Sequence, residues 1–68
     1  MLEHNQSAIL QKLIDDGGTT VRETATWPSA LREALRILVW NLYAVLHEER
    51  YEITPEGIFE LRRLKRLR

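Results

Sequence analysis

Residues 20 to 38, Thr20-Val21-Arg22-Glu23-Thr24-Ala25-Thr26-Trp27-Pro28-Ser29-Ala30-Leu31-Arg32-Glu33-Ala34-Leu35-Arg36-Ile37-Leu38, decide how this chain folds. Thr20 followed three residues later by Glu23 fits a capping box, in which hydroxyl and carboxylate each satisfy a backbone N–H at a helix start. This predicts a short helix from Val21 to Ala25. Trp27 and Pro28 break it, with Trp27 as a wedge in the turn. Pro28-Ser29 opens a longer helix, because proline lacks only an N–H that would be unpaired in the first turn anyway. Leu31, Leu35 and Leu38, at i, i+4 and i+7, give that helix its inward stripe and turn Ser29, Arg32, Glu33 and Arg36 outward. It runs from about Pro28 to Trp40, and Asn41 is expected to close it in the left-handed conformation. Two helices joined by a tight turn form a helix-turn-helix unit, whose second helix fits the DNA major groove.

Upstream, Asn5 to Asp16 reads as a helix with Asn5 as N-cap and Ala8, Ile9, Leu13 and Ile14 on its apolar face. Gly17 and Gly18 end it, and Thr19-Thr20 is extended. Downstream the period changes to two: Leu42, Ala44 and Leu46 alternate with Tyr43, Val45 and His47, Glu48-Glu49 turns the chain, and Tyr51 and Ile53 alternate with Arg50 and Glu52. A hairpin follows from this, with Tyr43 and Tyr51 expected to pair across it. Thr54-Pro55-Glu56-Gly57 is a helix start, and Ile58, Leu61, Leu64 and Leu67 mark a last helix. The expected fold is mainly α with a small β-hairpin, in the order α-α-α-β-β-α, as one domain over residues 1 to 68.

Composition narrows the function. The 68 residues contain no cysteine, which excludes disulfide scaffolds, zinc ribbons and thiol nucleophiles and suits a cytoplasmic protein. His4 and His47 lie far apart without a partner at ligand spacing, so no metal is expected. No run approaches the ~20 apolar residues of a membrane span. No nucleophile stands beside a base, and Gly17-Gly18 lacks the lysine and spacing of a phosphate loop, so neither an enzyme nor a cofactor is expected. Ten basic residues balance ten acidic ones, which by itself disfavours nucleic acid. The charges are segregated, however. Glu48, Glu49, Glu52, Glu56 and Glu60 form an acidic block, and Arg62, Arg63, Lys65, Arg66 and Arg68 a basic tail.

Over residues 8 to 64 the chain resembles the winged helix-turn-helix domains of bacterial and archaeal transcription regulators. The likeness rests on the Ile9 to Ile14 helix, the Gly17-Gly18 break, the helices at 20–25 and 28–38, and the entry Asn41-Leu42-Tyr43. Its most specific part is Arg50-Tyr51-Glu52-Ile53-Thr54-Pro55-Glu56-Gly57, similar to the wing end and following helix of multiple-antibiotic-resistance-type regulators. The resemblance implies a cofactor-free regulator that binds double-stranded DNA as a homodimer. Ser29, Arg32 and Arg36 would read bases, Arg22, Arg62, Arg63 and Arg66 would hold phosphates, and Phe59, Leu64 and Leu67 would form the dimer contact, with Trp40 in core or interface. Two features depart from the pattern: a short linker between the second and third helices, and a wing tip, Glu48-Glu49, that a phosphate backbone would repel. The alternative is a winged-helix protein-interaction module, such as a phage-encoded inhibitor of a host factor. The sign of the surface around the third helix separates the two.

Overall fold

A computed structural model describes residues 2–66. Its elements are α1 (His4–Asp16), β1 (Thr19–Thr20), α2 (Val21–Thr24), α3 (Ser29–Trp40), β2 (Ala44–His47), β3 (Arg50–Ile53) and α4 (Pro55–Arg66). Four helices therefore surround a three-stranded antiparallel sheet of order β1-β3-β2, rather than a hairpin alone. The extra strand is the extended Thr19-Thr20 piece, which pairs with Tyr51 and Arg50.

Local chemistry explains most element ends. Helix α1 begins before Asn5: Glu3 is the N-cap, and its N–H donates to Gln6 Oε1 at 3.0 Å, which corrects the Asn5 cap. Gly17 ends α1 at φ 70°, and the Arg50 guanidinium reaches back from β3 to donate to the Gly17 carbonyl at 3.2 Å. A cation on those last carbonyls also opposes the negative end of the helix dipole. Gly18 has φ 119°, and a Cβ there would lie 2.7 Å from the Tyr51 carbonyl oxygen, so β1 approaches β3 only because this residue has no side chain. The Glu23 N–H donates to Thr20 Oγ1 at 3.1 Å, which is one half of the expected capping box; the Glu23 carboxylate accepts from the Thr19 and Thr20 hydroxyls, at 3.4 and 3.3 Å, rather than from a backbone N–H. Helix α3 ends without a left-handed Asn41, whose φ is −87°. The positive φ, 65°, falls one residue later on Leu42, while the Asn41 amide donates to the Ile37 carbonyl at 3.0 Å.

The core is small and leucine-rich. Ile9, Leu10 and Leu13 of α1 meet Ala34, Leu35 and Leu38 of α3, with Ala44 and Leu61 closing the sides. Leu10, absent from the apolar face read in the sequence, is fully buried, whereas Ile14 is 41% exposed and Ala8 lies on the surface. The buried row of α1 is Gln6, Ile9, Leu10 and Leu13, so Ile9 and Leu13 stand where periodicity suggests while the stripe extends toward Gln6 and Leu10 rather than toward Ala8 and Ile14. Trp27 is half-buried against this core, as a turn wedge should be, but Trp40 is 86% exposed and is no part of it. Tyr51 stands opposite Leu46, and Tyr43 precedes β2, so the two tyrosines do not form a cross-strand pair. Outside the core, Lys12 Nζ lies 2.6 Å from the Asp16 carboxylate. That hydrogen bond holds the ammonium above its ordinary range, but such an exposed pair contributes little to stability.

The junction between the sheet and α4 is closely packed. Thr54 Oγ1 donates to the Leu42 carbonyl at 2.6 Å and accepts from the Gly57 N–H at 3.1 Å, so one hydroxyl joins the end of α3 to the start of α4. A Cβ on Gly57 would overlap the Tyr43 carbonyl oxygen and lie 2.9 Å from Ile53 Cγ1. Helix propensity alone favours alanine over glycine by ~1 kcal/mol. The overlap is with backbone, however, and overpacking of this kind costs about 1–3 kcal/mol. Gly57→Ala should therefore lower the unfolding free energy in urea titration; equal or higher stability would refute this packing.

Candidate functional site

The outward face of α3 is bare. Ser29, Glu33, Arg36 and Trp40 recur at i, i+4, i+7 and i+11 and make its outermost row, with Arg32 on one flank and Ile37 on the other; all are exposed. Arg36 lies 4.0 Å from Glu33 with both side chains largely in solvent, a contact too weak to hold either in place.

Arg32 and Arg36 also edge a groove of about 310 Å³ formed by three parts of the chain. Val21 and Thr24 come from α2 and Ala25 from its C-cap, Leu35 and Val39 from α3, and Leu46 and Tyr51 from the hairpin. The groove is apolar apart from the two arginines, Thr24 and the tyrosine hydroxyl, and no carboxylate lines it. Leu46 shares a face of β2 with the buried Ala44 but lies nearer the turn, past the edge of the core, and so remains 48% exposed. The sequence marks Leu46 as apolar and inward; what it does not carry is the point at which the core stops. Val21, Val39, Leu46 and Tyr51 were therefore missed as a surface feature.

The remaining arginines lie elsewhere. Arg22, at the start of α2, shares a second cleft with Glu48, Glu49 and Arg50, because the Val21 N–H donates to the Glu49 carbonyl at 2.9 Å and ties the hairpin turn to α2. Arg62, Arg63 and Arg66 flank Phe59, Ile58 and Pro55 in a shallow trough whose lining residues all belong to α4. Arg63 is paired there with Glu60 at 3.2 Å. Phe59 is 65% exposed, whereas Leu64 faces α1 beside His4, Ser7, Ala8 and Gln11. These two residues of the expected dimer contact therefore occupy different faces of α4, and the third, Leu67, lies outside the described residues. Thus the arginines singled out in the sequence form three groups, of which only Arg32 and Arg36, with Ser29, share α3.

Among the described residues no group of three His, Asp or Glu side chains is arranged to hold a metal ion, and no helix is long and apolar enough to cross a membrane. No protein-family model, curated protein or solved structure matches the chain. What it does must therefore be argued from its own residues.

The hairpin turn carries its own strain. Glu48 and Glu49 have φ of 49° and 64°, and positive φ at both central residues is the signature of a type I′ turn, which favours Asn-Gly. For other L-residues this conformation costs ~1–2 kcal/mol each. The double variant Glu48→Asn, Glu49→Gly should raise stability by about 1–2 kcal/mol in thermal or urea unfolding. No gain would mean that the carboxylates contribute a compensating interaction at the turn.

Proposed function

We propose that this chain is a small winged-helix DNA-binding protein that acts as a transcriptional regulator. The hairpin β2–β3 is its wing, and α3 enters the major groove. The observation that supports this reading best is the exposed face of α3, a 12-residue helix that follows α2 through a tight turn and bears Ser29, Arg32 and Arg36 on a side no other element covers. Arginine suits the task because its planar fork donates to guanine O6 and N7 together. Arg22, Arg62, Arg63 and Arg66 are assigned to phosphates, which fix register without carrying sequence information. The wing tip stays off the backbone, since Glu48 and Glu49 are repelled by it. A homodimer on a two-fold site completes the reading. Because Phe59 stands on the outward row of α4, that pairing would centre on Phe59 rather than on Leu64.

The test is electrophoretic mobility shift on selected duplexes with the double variant Arg32→Ala, Arg36→Ala. Each bidentate base contact contributes ~1–3 kcal/mol, so losing two should weaken specific binding by about 30-fold or more while the circular dichroism is unchanged. Affinity must also fall steeply with salt, as phosphate contacts require. Unchanged affinity in the double variant would refute the role of α3. Absence of binding to any duplex at low salt would transfer the function to the protein-interaction module.

A further inference from the structure

We propose that the groove between α2, α3 and the hairpin docks a short acidic and apolar segment of a partner protein. The groove joins two properties that a nucleic-acid surface does not need together. Val21, Leu35, Val39 and Leu46 give it an apolar lining, and Arg32 and Arg36 border it with no carboxylate among the lining residues. Glu33 reaches Arg36 at 4.0 Å from outside the groove, both side chains largely in solvent, a pair too weak to cancel the two positive charges. Its volume of about 310 Å³ is at the small end of pockets that hold ligands, ~300–1,000 Å³, which suits one or two anchoring side chains rather than a whole helix.

Charge selects the occupant. A basic segment is repelled by Arg32 and Arg36, and a phosphodiester backbone supplies the complementary charge but nothing to meet the apolar lining. A second copy entering through Phe59, the exposed apolar side chain of α4, would bring Arg62, Arg63 and Arg66 with it and set like charges together. What remains is a segment with a leucine or aromatic anchor and carboxylates about one helical turn apart, matching Arg32 and Arg36 at i and i+4. Docking stands independently of the DNA reading. One consequence rests on that reading: the same two arginines cannot serve DNA and the segment at once, so the segment would release the protein from DNA.

The experiment is selection of a displayed library of random twelve-residue peptides on the full chain, followed by fluorescence anisotropy with a synthetic copy of the dominant peptide. The expected pool combines Leu, Phe or Trp with Asp or Glu. Binding of the chosen peptide should weaken about tenfold or more on Leu46→Glu and, separately, on Arg32→Glu with Arg36→Glu. The second variant alters exposed side chains only, so it reports even where Leu46→Glu disturbs the hairpin. No enriched sequence, a basic pool, or binding indifferent to both variants would overturn the proposal. So would a dimer in sedimentation velocity that Leu46→Glu dissolves, because a second copy would then own the groove. Duplex DNA added to the bound peptide separates the two readings: displacement supports exclusive use of the arginines, while a peptide that stays bound leaves docking in place and counts against DNA contact through α3.

Discussion

The pairing of Thr19 and Thr20 with β3 fixes everything that faces solvent on one side of this molecule. Backbone N–H and C=O groups in a tight connection need partners, and here the connection between two helices finds them on the central strand of the sheet. Gly17 and Gly18 permit the approach, one by ending α1 and the other by leaving room for the Tyr51 carbonyl. Once β1 is in place, the Val21 N–H meets the Glu49 carbonyl, and α2 is held beside the hairpin turn. The groove lined by α2, α3 and Leu46 exists because of that restraint.

Folding also redistributes the charge. A neutral chain with segregated acidic and basic blocks suggests one positive and one negative pole, but folding divides the arginines into three settings. Arg22 stands among the carboxylates of the hairpin turn, the α4 arginines surround an exposed phenylalanine, and Arg32 and Arg36 border an apolar groove. A basic patch or stripe is the electrostatic footprint of a nucleic-acid surface, and among the described residues these arginines line three separate clefts. The DNA-binding reading therefore rests base recognition on the two arginines of α3 and draws its phosphate contacts from the other two settings.

Elements with a local cause were legible in the sequence. Thr20 with Glu23, Thr54 with Pro55, and the Gly17-Gly18 stop each act within a few residues, and each stands where the pattern placed it. The leucines of α3 were equally clear, since three positions at helical spacing define one stripe. What the sequence hid was set by distant partners. Two residues are too few to show a strand period, so β1 is visible only from β3. Leu10 and Ile14 are equally apolar, and only the position of α3 decides which is buried. Phe59 and Leu64 both read as interface, yet α1 occupies the face that Leu64 presents. The exposed face of α3 was legible; the groove beside it was not, because its apolar lining residues come from elements far apart in the chain.

The two tryptophans end up in opposite environments. Trp27 is wedged half-buried in the turn before α3, and Trp40 stands 86% exposed at the helix's far end. The indoles thus bracket a single helix as a pair of native optical probes. The emission of Trp27 follows the integrity of the fold, and that of Trp40, open to solvent quenchers, follows whatever comes to cover the end of α3. Neither needs a label, and replacing one indole at a time by phenylalanine separates the signal of unfolding from that of occupation.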